Sequence, residues 1–121
     1  MRLGTDIVEI ASIQKAIEQN KRFALRIFTE NEISYCESKP LKYQHYAARF
    51  AAKEAVIKAL KTGWDKGVQW KQVEVINQFG GAPIIMTNGR AKELLDKMGG
   101  TNIEVSLSHS EQYAIAVVCV Q

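Results

Sequence analysis

The chain has 121 residues, of which 46% are hydrophobic and 24% are charged. This composition is typical of a globular protein and excludes a long disordered tail, and the length predicts one domain, residues 1–121. The formal net charge of +3 is too small to indicate nucleic acid, although it favours an acidic partner over a basic one. The chain begins without the apolar run of a signal peptide, and no stretch approaches the ~20 apolar residues of a membrane span, so we expect a cytoplasmic protein.

The first predicted elements are a strand and two helices. Residues 2–10 alternate well enough for a strand, and Ser12 is the candidate N-cap of a helix that ends near Asn20. Thr29 and Glu32 have the spacing of a capping box, in which hydroxyl and carboxylate satisfy each other's backbone donors. A short helix is therefore expected directly after Thr29.

A long alanine-rich helix is predicted from about 43 to 60, because nothing in this stretch breaks it. The segment at 62–67 then reads as a turn. The remaining predicted elements are strands at 68–77 and 82–87, a helix at 89–100, and strands at 102–108 and 113–120. This order favours an α+β fold, with a largely antiparallel sheet packed against the long central helix, over a parallel doubly wound fold.

Three charged residues on the predicted strand and helix have two interpretations. Asp6 shares a strand face with Gly4 and Val8, and an acid on an apolar face is costly unless something pairs with it. An exposed strand end or backbone hydrogen bonds would satisfy it without any function. Glu54 and Lys58 have the spacing of an ordinary helix-surface ion pair worth ~0.3 kcal/mol. None of these residues establishes a site by itself.

Two common kinds of site are disfavoured. His109 ends a predicted strand at a hairpin, where a polar residue is unremarkable, and it lacks metal-ligand partners at a recognisable spacing. The glycine-rich signature of a P-loop is also missing, so a phosphate would need another binding site.

Four segments together resemble the holo-[acyl-carrier-protein] synthase family, the short bacterial type of 4′-phosphopantetheinyl transferase. The segments are "GTDIVEI" at 4–10, "RIFTENE" at 26–32, "RFAAKEAVIKAL" at 49–60 and "VSLSHSEQYAIAVV" at 105–118. The resemblance implies the phosphopantetheinyl transferase fold and a Mg²⁺-dependent reaction in support of fatty acid biosynthesis. In that reaction the phosphopantetheine arm of coenzyme A passes to a serine hydroxyl of apo acyl carrier protein, and adenosine 3′,5′-bisphosphate is released.

The resemblance also implies roles for the charged residues. Asp6 and Glu54 match the family's Mg²⁺ ligands, which agrees with the preference of magnesium for one or two protein carboxylates plus phosphate and water oxygens. Glu54 is in addition a candidate base for the serine hydroxyl, directly or through a water. Lys58 matches a lysine placed near the diphosphate, where its charge stabilises the leaving phosphate.

Further expectations concern the coenzyme and the assembly. Lys42, Arg49, His109 and Ser110 fall where the family contacts coenzyme A, with phosphates and adenine as their targets. The family works as a homotrimer with its sites in clefts between subunits, which would explain how a small chain forms a deep pocket.

The acidic partner is expected on the stretch from 12 to 28. Its carrier-docking candidates are Lys15, Arg22, Phe23 and Arg26, in a segment that also holds Lys21 and Glu18. A basic helix is usually just a solvated face, but this one occupies the family's docking position.

Three departures from the family pattern are Ser12 in place of an arginine, Lys61 in place of a glycine, and Ala82 where a basic residue is frequent. They concern affinity for the partner and the coenzyme, and they leave the acids and Lys58 intact. The alternatives are a non-catalytic module that docks an acidic protein, which should have lost Asp6 or Glu54, and a nucleic-acid binder, which should be more basic.

Overall fold

The structure, a computed structural model, describes residues 1–60, 67–79 and 81–121. Within these ranges the helices are α1 Ile10–Gln19, α2 Lys21–Ile27, α3 Glu30–Glu37, α4 Lys42–Ala59 and α5 Gly89–Lys97. The strands are β1 Arg2–Glu9, β2 Val73–Asn77, β3 Pro83–Thr87, β4 Ile103–His109 and β5 Tyr113–Val120. Most of the predicted turn at 62–67, together with Lys61, lies outside the described residues.

The described strands form two antiparallel sheets around the long helix. One sheet has the order β1-β5-β4, and the other is the two-stranded pair β2-β3. Helix α4 packs across β1 and β5 and also contacts α1, α3, β2 and β4. The predicted α+β fold, with antiparallel strands against a long central helix, is therefore confirmed.

Gly4 lets β1 approach α4 unusually closely. A Cβ atom at this position would lie 2.0 Å from the carbonyl oxygen of Ala55 and 3.1 Å from the Cβ of Ala59. Both alanines are buried, so strand and helix meet through their smallest side chains. Because residues of the same parity share a strand face, Asp6 is carried against the same helix.

The capping box predicted before α3 is present. The Thr29 hydroxyl accepts a hydrogen bond from the backbone N–H of Glu32, and the Glu32 carboxylate accepts one from the N–H of Thr29. The prediction that Ser12 caps α1 is wrong, because the helix begins at Ile10 with Glu9 as its N-cap. Ser12 lies in the first turn and donates to Glu9 Oε1 at 2.8 Å. The buried side chain of Ile10 anchors this earlier start.

The predicted end of the first helix near Asn20 is confirmed, but the sequence did not predict the separate helix α2 that follows. Asn20 adopts an extended conformation, and its side chain caps α2 by accepting from the N–H of Arg22. The strand predicted at 68–77 covers only β2. It is preceded by a 3-10 turn, Trp70–Gln72, where side-chain hydrogen bonds to the backbone compete with strand pairing.

Candidate active site

Asp6 and Lys58 meet where β1 crosses α4. The Nζ atom of Lys58 lies 2.8 Å from Asp6 Oδ1 and donates to the carbonyl oxygen of Thr5 at 3.1 Å. The lysine side chain is 56% exposed and that of the aspartate 15%. This ion pair therefore lies at an open edge of the fold, where another molecule can reach the lysine.

Glu54 lies one helical turn before Lys58 and is half-buried. Burial raises the pKa of its carboxyl above the ordinary value of 4.5, the charge of Asp6 raises it further, and Lys58 acts in the opposite direction. A carboxylate whose pKa is raised by burial and by a second acid is typical of functional sites. The structure thus brings together the three residues that the sequence singled out.

These two acids have the donor chemistry for Mg²⁺. No cluster of three or more histidine, cysteine or acidic residues able to hold a metal occurs in the described ranges. A pair of carboxylates is nevertheless sufficient for magnesium, which takes its other ligands from phosphate and water. A divalent cation would also relieve the mutual repulsion of the two acids that is reflected in the raised pKa of Glu54.

Arg49, on the buried side of the same helix, lines a separate cavity of about 330 Å³. The residue is only 2% exposed, its guanidinium lies 4.0 Å above the ring of Tyr35, and it donates to Asn77 Oδ1. Its Nε atom is buried and has no hydrogen-bond partner among the described residues. Neither the ring nor the neutral amide cancels the charge of this buried cation, so it can bind an anion that enters the cavity.

Two histidines also line the cavity, His45 on α4 and His109 at the end of β4. Burial lowers the pKa of His45, and the charges of Arg49, Lys39 and His109 lower it further. The lowered pKa keeps His45 largely neutral near pH 7, so the positive charge of the cavity comes from Arg49.

Lys42 and Ser110 do not line the Arg49 cavity. Lys42 forms an ion pair with Glu37 at 3.3 Å and lines a different surface depression, which residues of α1 also line. The Ser110 hydroxyl accepts from the backbone N–H of Tyr113 at 3.1 Å and so stabilises the β4-β5 turn. Of the four residues predicted to contact coenzyme A, the structure thus groups Arg49 with His109 only.

The predicted docking residues lie on or near the surface of α1 and α2. Lys15, Arg22 and Arg26 are exposed, whereas Phe23 is half-buried. The Phe23 ring lies 6.3 Å from that of Phe50, which in turn stacks on Trp70 at 5.2 Å. The surface combines exposed cations with an aromatic cluster.

Sequence reasoning missed the neighbours of Arg49, namely Tyr35, Asn77 and His45. Tyr35 and Asn77 come from α3 and β2, which are distant in sequence, so no spacing signal connects them with Arg49. His45 does have a signal, because it lies four residues before Arg49 and therefore on the same helix face.

Fold and site together define a class of protein. Two carboxylates suited to a divalent cation lie beside a lysine, and a cationic cavity lies on the same helix. These features are those that a phosphate-transferring enzyme requires. The model of the 4′-phosphopantetheinyl transferase superfamily matches residues 2–118. The chain belongs to this superfamily, as its four sequence segments predicted.

Curated relatives and solved structures agree with this assignment. The chain is 48% identical to holo-[acyl-carrier-protein] synthase of Ruminiclostridium cellulolyticum, over 99% of this chain and 91% of that one. It is 34% identical to the Helicobacter pylori synthase solved with coenzyme A, with a TM-score of 0.85 over 98% and 99% of the two chains. The Neisseria meningitidis synthase gives 30% identity and a TM-score of 0.87 over 99% and 97%. No helix in the described ranges is both long and apolar enough to cross a membrane.

Proposed function

We propose that the protein transfers the 4′-phosphopantetheine group of coenzyme A to a serine hydroxyl of apo acyl carrier protein, in support of fatty acid biosynthesis. The observation that carries the proposal is the meeting of Asp6, Glu54 and Lys58 at the β1-α4 crossing. The curated relatives named as holo-[acyl-carrier-protein] synthase and the neighbours solved with coenzyme A support the choice of substrates.

Asp6 and Glu54 would hold Mg²⁺. The cation would supply positive charge to the diphosphate of coenzyme A when bound. Two protein carboxylates leave coordination positions for phosphate oxygens, which suits a metal that acts on a bound diphosphate. The open edge of the fold at this place supports the same assignment.

Glu54 and Lys58 act on the two ends of the reaction. The serine hydroxyl oxygen forms a bond to the phosphorus that carries the pantetheine arm, and its proton passes to Glu54, directly or through a water. The bond from that phosphorus to the bridging oxygen breaks, and its electron pair leaves with adenosine 3′,5′-bisphosphate. Lys58 exchanges Asp6 for the diphosphate and stabilises this leaving group.

Arg49 and His109 bind the coenzyme phosphates in the cationic cavity. The unpartnered Nε of Arg49 supports an anion there. Lys42 and Ser110, which lie outside the cavity, remain proposed contacts for parts of the coenzyme that extend beyond it. Each of these contacts positions the substrate for in-line attack.

The carrier docks on Lys15, Arg22, Phe23 and Arg26. Exposed cations attract an acidic surface and speed encounter, while a half-buried aromatic gives the contact an apolar centre. Two free cysteines, Cys36 and Cys119, fit a reducing compartment, and the cytoplasm is therefore part of the proposal.

The active assembly is a homotrimer with its sites between subunits. Support comes from the sheet face turned away from α4, where the described residues leave an apolar patch exposed. Its exposed members include Leu3 at 71%, Ile7 at 60%, Val117 at 45% and Ile115 at 38%. A monomeric mass by light scattering, with full activity, would exclude the trimer.

The proposed function is tested by incubating the protein with apo acyl carrier protein, coenzyme A and Mg²⁺ and weighing the intact carrier. The expected result is a carrier heavier by one phosphopantetheine, with the label lost when coenzyme A or Mg²⁺ is omitted. A carrier that binds but never gains mass would instead favour the non-catalytic docking module.

A further inference from the structure

Lys53 and Glu32 form an ion pair inside the protein that the catalytic proposal does not use. Their charged atoms lie 2.8 Å apart, and both side chains are 0% exposed. The Lys53 ammonium also donates to the carbonyl oxygens of Val73 at 2.6 Å and Trp70 at 3.2 Å, which uses its three donors. Glu32 Oε2 accepts the N–H of Val75 at 2.7 Å. The pair thus connects α3, α4 and the chain entering β2.

The same three elements surround Arg49. Helix α4 supplies Arg49 one turn before Lys53, and α3 supplies Tyr35 one turn after Glu32. Strand β2 supplies Asn77 two residues after Val75, on the same strand face. Each element therefore contributes one residue to the ion-pair layer and one to the Arg49 layer next to it.

Arg49 depends on this arrangement because no carboxylate holds it in the described part of the chain. In the described part of the chain its polar side-chain contact is with Asn77, whose amide also donates to the carbonyl oxygen of Gly81 at 2.8 Å. The Tyr35 ring covers one face of the guanidinium. A displacement of α3 or β2 would therefore move the ring or the amide away from Arg49.

We propose that the Lys53–Glu32 pair is a positioning element for coenzyme binding. It fixes α3 and β2 at the spacing at which Tyr35 and Asn77 aim the Arg49 guanidinium at a coenzyme phosphate. The inference rests on the proposed function, since it takes coenzyme A as the ligand of Arg49. Net stability alone is a poor reason for such a pair, because apolar residues of similar volume are often as stabilising as a buried ion pair.

The test replaces both charges together, with Glu32→Gln and Lys53→Met, so that no single buried charge is left unpaired. Isothermal titration with adenosine 3′,5′-bisphosphate measures the Arg49 site directly. The dissociation constant is expected to rise about threefold to thirtyfold, the range found for coupling through a packed network. The KM for coenzyme A should rise in parallel, while the KM for the carrier and kcat at saturating coenzyme stay near those of the unmodified protein.

Two control variants are needed. One tests whether a general loss of stability weakens binding, and the other tests whether Arg49 binds the nucleotide. Leu95→Ala removes packing from a buried position on α5, a helix that supplies no residue to the ion pair or to the described contacts of Arg49. At equal loss of thermal stability it should leave the dissociation constant unchanged, and an equal weakening would overturn the inference. Arg49→Gln should weaken binding more than the double variant does.

The outcomes distinguish the inference from the proposed function. If Arg49→Gln weakens binding and the double variant does not, the pair is only structural and the inference fails alone. If the unmodified protein does not bind adenosine 3′,5′-bisphosphate, the proposed coenzyme site fails and the inference fails with it.

A measurement on the unmodified protein covers the case in which the double variant does not fold. By linkage, a pair that favours anion binding is itself stabilised by the anion. Adenosine 3′,5′-bisphosphate should therefore slow hydrogen exchange of the Val75 amide, which donates to Glu32, more than that of the Val118 amide in β5. Equal slowing of both amides would reflect global stabilisation only and would overturn the inference.

Discussion

Helix α4 carries two lysine–carboxylate pairs with the same N–O separation of 2.8 Å and opposite surroundings. Lys53 and Glu32 are fully buried, and main-chain groups use their remaining hydrogen-bonding capacity. Lys58 and Asp6 lie at an open edge, where the lysine side chain is 56% exposed. A contact distance therefore says little about what an ion pair does, because burial decides whether its members can change partners.

The largest expected difference between the pairs is in stability. Lys53→Met alone should destabilise the protein by about 3–5 kcal/mol, because it leaves Glu32 as an unpaired buried charge. Lys58→Met, the matched control on the same helix, should cost about 0–1 kcal/mol, since water and ions replace its partner. Urea unfolding measures both, and equal losses would contradict the contrast drawn between the two surroundings.

The open pair and Glu54 should dominate activity instead. Asp6→Asn or Glu54→Gln is expected to lower turnover at least about a hundredfold by removing a proposed metal ligand, while circular dichroism stays unchanged. Mg²⁺ should raise the melting temperature of the unmodified protein and not that of either variant. Normal turnover in either variant would show that these acids do not hold the metal.

Lys58→Ala sharpens the comparison by separating turnover from binding. A charge that acts on the leaving phosphate is felt mainly in the transition state, so kcat should fall about tenfold to a hundredfold, with a smaller change in the dissociation constant of coenzyme A. Rapid-quench kinetics and titration give the two numbers. Equal losses in both would make Lys58 a simple binding residue.

Glu54 links the open site to pH. Its pKa is raised in the folded protein, mainly by burial and then by Asp6, so the folded state binds more protons than the unfolded state at pH values just above 4.5. Stability contributed by the protonated carboxyl is therefore lost as the pH rises through this window. In the absence of Mg²⁺, Glu54→Gln should melt at a higher temperature than the unmodified protein near pH 7, and the gap should close below about pH 4.5. A gap that is independent of pH would mean that Glu54 titrates normally.

The smallest expected effect comes from adding an exposed charge. Ser12→Arg restores a cation at the docking surface, and it loses the hydrogen bond that Ser12 donates to Glu9. The KM for an acidic carrier should fall at most about fivefold at low salt, with the gain fading as salt screens it. The positive end of the helix dipole should lower stability by about 0.3–1 kcal/mol. If Ser12→Arg leaves this KM unchanged while Arg22→Glu strongly weakens carrier binding, the docking surface lies further along α2.

Much of the local structure could be predicted because it depends on neighbours in the sequence. The Thr29–Glu32 capping box and the span of α4 follow from local hydrogen bonds and helix propensity. The end of α1 near Asn20 was also predicted, whereas α2 was missed because the charges on both sides of Asn20 were interpreted as one basic docking stretch. The start of α1 was misplaced because Ile10, a buried side chain, outweighed the capping preference of Ser12.

The sequence by itself determined the family and the fold class and singled out the residues proposed to bind Mg²⁺, because these depend on short segments and on residues that share a face. It could not decide which lysine of α4 is buried. Lys53 and Lys58 lie about 140° apart around the helix, so periodicity predicts that they face different directions. It does not predict which elements pack against each of the two faces. In the tertiary structure α3 and β2 pack on the side of Lys53 and bury its ion pair. Strand β1 packs through Gly4 on the other side and leaves the ion pair of Lys58 exposed, so that this lysine can exchange its partner.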